Sequence, residues 1–396
     1  MKDAELFTRE SNGLPRPLAA RSAIDPFIVM DVMAAANARA AKGEDVIHME
    51  VGQPGTPAPR AARERATEAL RSERLGYTEA LGMPELRARI ARYTAERYGV
   101  SAAPERVVVT SGSSAGFVLA FLALFDAGDA IGLPSPGYPC YRQIANALGI
   151  TPRLIETAGQ GRWMPTVADV EKLAADGAAG LLLASPNNPT GTMTLAPRLR
   201  EIAQACHKQR LWLISDEIYH GLEYEAAAET ALAHSDAAIV VNSFSKYFSM
   251  TGWRVGWLIV PEALVRPIER LAQNLYISPP AISQVAALGA FDGIEELEAI
   301  RAGYARNRVM LLEELPRAGF TTILPADGAF YLYADVSRFT PDSEAFAKAM
   351  LREIGVAVTP GIDFDPVHGR NFVRFSYAGP EPAMREAARR IRDWMK

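Results

Sequence analysis

The sequence predicts an α/β fold built on a mostly parallel sheet, and three observations carry that prediction. Short apolar runs rich in leucine and β-branched residues recur as far as Val260, segments with helical spacing separate them, and each run ends in a cluster of Gly, Ser, Pro or Asn. Continuous apolar runs suit strands buried on both faces, and intervening helices allow neighbouring strands to run parallel.

The clearest helix comes first, over Pro84–Tyr98. Pro84 suits a first turn, Leu86, Ile90, Tyr93 and Arg97 recur at helical spacing, and Gly99 supplies the stop. The apolar runs follow at residues 106–110, 130–133, 180–184, 211–215, 238–242 and 255–260. The apolar stretch over 115–125 is about half the roughly 20 residues that a bilayer-crossing helix needs, so it reads as a buried helix. Past residue 290 the pattern changes to a long helix over 294–318, strands over 330–335 and 372–377, and an amphipathic helix over 382–395. A chain of 396 residues exceeds one small core. Two domains are expected: a large α/β domain over 51–290, and a smaller α+β domain formed by 1–50 together with 291–396.

Composition narrows the function. With 42 basic against 46 acidic residues the formal charge is −4, which argues against nucleic acid or an anionic membrane surface as the main partner. Small neutral or zwitterionic ligands fit that balance. Early acids at Asp3 and Glu5, with no apolar leader, predict a cytoplasmic location. Two cysteines, Cys140 and Cys206, cannot build a disulfide framework. Cys206 and His207 are adjacent and point apart on a helix, so they do not make a metal site. His48, His220, His234 and His368 lack a companion at metal or triad spacing, and structural or surface roles are expected for all four.

In an open parallel sheet, ligands gather outside the carboxyl ends of the strands. Four polar clusters fall there: Ser111 to Ser114, Asn187 to Gly191, Asp216 to Tyr219, and Ser243 to Lys246. The serine turn offers hydroxyls and helix N-terminal N–H groups, the ingredients of a phosphate cup, although taken alone it reads sooner as a tight turn with a serine cap. Two basic residues strengthen the ligand reading. Lys246 can form an imine, and Arg254, flanked by Gly252 and Gly256, suits a phosphate through its fork of donors.

The motifs Asn187-Asn188-Pro189-Thr190-Gly191, Asp216-Glu217-Ile218-Tyr219, Ser243-Phe244-Ser245-Lys246 and Gly252-Trp253-Arg254-Val255-Gly256-Trp257 follow one another in an order that resembles the class I/II aminotransferases. These are fold type I enzymes dependent on pyridoxal 5′-phosphate (PLP). The likeness also takes in Val51-Gly52-Gln53-Pro54, Gly76-Tyr77, Gly82 to Arg87, and Val373-Arg374-Phe375-Ser376, and so spans nearly the whole chain. The resemblance implies a seven-stranded-type, mostly parallel sheet flanked by helices. It also implies a PLP-dependent aminotransferase that moves the amino group of an L-amino acid to a 2-oxo acid by a ping-pong mechanism through a Lys246 aldimine.

By that likeness Lys246 also moves the proton at the α-carbon, Asp216 pairs with the ring nitrogen, and Asn188 and Tyr219 hold the phenolic oxygen. Tyr138 stacks on the ring. Arg254, Ser243, Ser245, Ser113 and Ser114 hold the phosphate, Ser113 through its backbone N–H. Arg374 takes the substrate α-carboxylate with help from Gly52 and Asn188. Tyr77 reaches the phosphate of a neighbouring subunit, which implies a homodimer with shared sites. The region of Ile24 and Phe27, with Tyr141 and Tyr276, is expected beside the substrate side chain and favours a neutral or aromatic one over aspartate. Two alternatives share the scaffold. A β-lyase or other α-carbon chemistry uses the same early steps, and a ligand-sensing regulator would need an added DNA-binding domain for which the chain leaves little room.

Overall fold

The protein is described by a computed structural model covering residue 16 and residues 18–396. The first half runs α1 (Ile28–Ala40), β1 (Ile47–His48), α2 (Arg60–Ser72), α3 (Pro84–Tyr98), β2 (Val107–Thr110), α4 (Ser113–Leu124), β3 (Ala130–Ser135), α5 (Pro139–Leu148), β4 (Thr151–Glu156), α6 (Val167–Ala175) and β5 (Gly180–Ala184). There follow α7 (Ala196–Lys208), β6 (Trp212–Asp216), β7 (Ile239–Ser243), β8 (Gly256–Ile259), α8 (Glu262–Leu275), α9 (Ala281–Ala290) and α10 (Ile294–Arg317). The chain closes with β9 (Tyr331–Asp335), α11 (Ser343–Ile354), β10 (Val356–Ala357), β11 (Thr359–Pro360), β12 (Phe372–Ser376) and α12 (Glu381–Trp394).

All six apolar runs are strands, and they join one seven-stranded sheet in the order β2-β8-β7-β6-β5-β3-β4. The seventh strand, β4, was not expected. Its sequence mixes Pro152 and Arg153 with apolar residues because it lies at the sheet's edge with one side open, where a proline is tolerated. Pairing is parallel throughout except at β8, which runs antiparallel to both β2 and β7. The carboxyl ends of β2, β3, β5, β6 and β7 therefore share one edge, and β8 begins there. That reversal returns Arg254, two residues before β8, to the edge that the chain left through Lys246.

Strand alternation divides the core. Leu181 and Leu183 join Val107, Val109 and Trp257 on one face of the sheet, while Leu182 joins Val108, Ile214 and Leu258 on the other. Both faces are covered. Helix α3 lays buried Leu86, Ile90 and Tyr93 on the first and stops at Gly99, whose φ of 67° is left-handed. Helix α4 covers the second with Phe117 and Phe121, which explains its nearly unbroken apolar sequence.

A separate three-stranded antiparallel sheet has the order β11-β12-β9. Arg374 lies in β12 in register with Thr359 of β11 and Tyr333 of β9. Strand β1 pairs in parallel with β10, which ties the segment entering the large sheet's layer to the last third of the chain. Among the described residues no helix is long and apolar enough to cross a membrane, and no group of three or more His, Cys, Asp or Glu side chains could hold a metal ion.

Candidate active site

The strand ends converge on a cavity of about 450 Å³ that also touches α1 and the second sheet. The loop after β7 is held by its own alternation. Phe244 turns into the core against Phe248 and Trp257, at ring distances of 4.8 and 4.9 Å, while Lys246 turns into the cavity. Burying such a ring contributes about 1.5–3 kcal/mol, so the loop has little freedom to move. Lys246 Nζ donates to the carbonyl of Gly52 at 2.5 Å. Burial, helped by the positive charges of Arg374 and Arg254, lowers the Lys246 pKa to about 8, while Asp216 opposes the shift. A larger fraction of this amine is neutral near physiological pH than in an ordinary lysine.

Asp216, at the end of β6, lies behind the cavity wall. Its Oδ1 accepts from the N–H of Ile218 at 3.1 Å, and its Oδ2 accepts from the hydroxyl of Tyr141. Burial raises its pKa to about 6, against these two donors and Lys246. The carboxylate is thus the prevailing form above that pH. Tyr141 was expected beside the substrate side chain. It does line the cavity, but its hydroxyl is committed to Asp216, which gives it a supporting role.

Tyr219 shares a 2.7 Å hydrogen bond with the hydroxyl of Tyr331, and burial raises its pKa well above the usual phenol, so it stays protonated. In the loop after β5 the two asparagines divide their tasks. Asn187 donates to Pro136 O and Thr190 Oγ1, both at 3.1 Å, and staples the loop; Asn188 Oδ1 accepts from Arg374 Nη1 at 2.7 Å. Arg374 is 1% exposed. Its Nη2 donates to Glu50 O and to Thr359 Oγ1, and its guanidinium lies between the rings of Tyr331 and Phe364, 4.3 and 4.6 Å from their centroids. Its Nε has no partner, an open donor on a buried cation.

Opposite, Ser113 and Ser114 form the first turn of α4, whose N–H groups have no intrahelical acceptor. Gly112 before them has φ +80°, and a Cβ there would meet Arg254 Nη2 at 2.4 Å. Arg254 itself is left-handed at φ 52°, and its Nη1 donates to Thr251 O at 3.0 Å beside Ser245 Oγ at 3.5 Å. Ser245 lines the cavity, but Ser243 stands one layer back, its Oγ donating to Ser245 Oγ at 2.9 Å.

Of the other expected residues, Gly52, Tyr138 and Phe27 line the cavity. A Cβ on Gly52 would fall 2.0 Å from the Tyr331 hydroxyl, so this position needs glycine. Ile24 and Tyr276 are not in the wall, and Tyr276 buries a hydroxyl without a partner. Tyr77 is 85% exposed and lies outside the cavity. Sequence reasoning missed Tyr331, Thr359, and the α1 residues Val29, Met30 and Met33. Each sits in an ordinary apolar or strand context, and only the three-dimensional neighbourhood reveals it.

The family model for class I and II aminotransferases matches residues 44–391. The chain belongs to that family. This aminotransferase is 47% identical to the valine–pyruvate aminotransferase of Mycobacterium tuberculosis over 96% of this chain and 98% of the relative. It superposes on the crystal structure of an aminotransferase from the same species with a TM-score of 0.93 at 48% identity, covering 96% of this chain and 98% of the other. A Thermus thermophilus aspartate aminotransferase solved with maleate matches with a TM-score of 0.90 at 32% identity, covering 96% and 99%. The aminotransferase therefore has the type I fold expected of it, and its activity is transamination.

Proposed function

We propose that this aminotransferase holds PLP between Lys246 and the Ser113–Ser114 turn and exchanges the amino group of a neutral, apolar L-amino acid with a 2-oxo acid by a ping-pong mechanism. The carrying observation is the charge of the cavity wall. Among the described residues its cationic side chains are Lys246, Arg254 and Arg374, and the wall on the α1 side is made by Phe27, Val29, Met30 and Met33. Once the lysine, the phosphate and the α-carboxylate are served, no cation is left for a second carboxylate among the described residues of the wall.

The residues fit PLP. Gly112 leaves space for Arg254 that a side chain would fill, and the helix turn, Ser245 and Arg254 form a donor set suited to a phosphate. When bound, PLP supplies an electron sink for the bonds of the substrate α-carbon. Asp216 would hold a proton on the ring nitrogen, and Tyr141 would keep that carboxylate ionised by donating to Oδ2. Tyr219 and Asn188 would donate to the phenolic oxygen, and Tyr138 would cover the ring face. Lys246 would bind the cofactor and, once released, carry the proton to and from the α-carbon through a Nζ whose lowered pKa suits a base. Arg374 would grip the α-carboxylate and so fix the orientation of the α-carbon.

Three broader features complete the proposal. Exposed Tyr77 supports a homodimer in which it serves the neighbouring subunit's phosphate. The three-stranded sheet within 291–396, joined to the N-terminal segment by the β1–β10 pair, supports the division into a 51–290 domain and a domain of 1–50 with 291–396. The unpaired thiols of Cys140 and Cys206 suit the cytoplasm.

A panel of amino donors against pyruvate and 2-oxoglutarate tests the substrate class. Valine, leucine, isoleucine and methionine are expected to lead aspartate and glutamate in kcat/KM. A preference for aspartate would overturn the pocket assignment.

A further inference from the structure

Glu50 is wholly buried, and its carboxylate has one hydrogen-bond partner among the described residues. His48 Nδ1 donates to Oε1 at 2.8 Å, while Oε2 has no partner. A buried carboxylate held by a single donor is a costly arrangement, and losing that donor leaves the charge uncompensated. The bond to Glu50 in turn holds the half-buried His48 imidazole above its usual pKa.

The backbone beside this pair carries both functional cations. The carbonyl of Glu50 accepts from Arg374 Nη2 and from Thr359 Oγ1, the latter at 2.7 Å, and the carbonyl of Gly52 accepts from Lys246 Nζ. The segment is also stitched on its upstream side, where Met49 N donates to Ala357 O and Met49 O accepts from Ser376 N. The carbonyls of Glu50 and Gly52, by contrast, accept from Arg374 and Lys246, the two cations assigned to the chemistry.

We propose that His48 and Glu50 act as a positioning pair that fixes the Glu50–Gly52 backbone and thereby sets where Arg374 presents its guanidinium to the substrate carboxylate. This rests on the reading of Arg374 as the carboxylate anchor. The pair touches neither substrate nor cofactor. It acts through the Glu50 carbonyl, which with Thr359 Oγ1 takes up Nη2 while Asn188 Oδ1 accepts from Nη1, and so sets the tilt of the fork and the direction of its unpartnered Nε.

The test uses PLP-loaded enzyme and 3-methylbutanoate as an unreactive carboxylate probe. His48→Ala is expected to raise KM for the amino acid, KM for the 2-oxo acid, and the dissociation constant of the probe together, each by roughly tenfold. Turnover at saturation should fall by less than about threefold, since an imperfectly aimed fork weakens binding of both carboxylates alike. His48→Gln, whose amide can still donate to Glu50, should recover most of the loss. If His48→Ala does not fold, Glu50→Ala, which removes the acceptor, gives the same readouts. A lower melting temperature with unchanged probe affinity and KM would overturn the proposal and leave the pair a merely structural one. Arg374→Ala separates the two levels: if it too leaves probe affinity unchanged, the carboxylate reading fails; if it weakens the probe while His48→Ala and Glu50→Ala do not, only the positioning pair fails.

Discussion

The two halves of the cavity are built by opposite strategies. On the large sheet, each functional group sits in a short loop at a strand end, next in sequence to the strand that carries it: Asp216 closes β6, Lys246 follows β7 by three residues, and Ser113 follows β2 by three. On the second sheet, Arg374 is a single buried cation within β12 whose partners come from Glu50, Asn188 and Thr359. On the proposed reading, the first half gathers what the cofactor needs and the second holds what the substrate needs. The second half depends on contacts between distant parts of the chain. It follows that the two functions can be damaged separately.

The largest separate effect is expected at Asp216. Asp216→Ala should retain bound PLP through the phosphate cup and Lys246 yet lose turnover by roughly a thousandfold or more, as read from steady-state kcat and visible absorbance on one sample. Near-normal turnover would show that the buried carboxylate does not serve the ring. Arg374→Ala should do the reverse. PLP affinity should stay within about threefold of wild type, while KM for L-valine rises by roughly a hundredfold, the scale of a lost charge-assisted fork. A parallel loss of PLP affinity would mean that the halves are not independent.

A smaller effect tests the link within the cofactor half. The Asp216 carboxylate prevails above its pKa of about 6 and is lost as pH falls through that value. Tyr141→Phe removes a donor to the charged form, so the pKa must move up. The acid limb of the kcat profile should shift to higher pH, with kcat near neutrality down about tenfold. An unmoved limb would remove Tyr141 from the account. The smallest change is expected for Tyr331→Phe, which leaves Tyr219 one hydroxyl partner short but keeps the ring against Arg374. Turnover should drop only a few-fold, and a hundredfold fall would assign Tyr331 a direct part.

The same contrast explains what could be read in the sequence. The six apolar runs declared their strands because both faces of a central strand are buried, and the edge strand β4 escaped because one side is open and its pattern is mixed. The cofactor half was legible because strand-end loops carry polar residues in contiguous motifs that stand out between apolar runs. Arg374 was identified only through resemblance, since a lone arginine in a strand reads equally as a solvent-facing residue. Tyr331, Thr359 and the methionines of α1 gave no signal, because their roles come from packing between elements far apart in the chain. Tyr141 was expected at the cavity and lines it, but its bond to Asp216 was not foreseen, because that depends on how α5 lies against the end of β6, which periodicity does not reveal.

The central claim is that Lys246 is the point where the two halves meet. Borohydride treatment of the PLP-loaded enzyme, followed by proteolysis and peptide mass measurement, tests it directly. The account predicts one equivalent of the reduced pyridoxyl group per chain, confined to the peptide that contains Lys246, and none in Lys246→Ala. Label on another lysine, or no label in a protein that still transaminates, would contradict it.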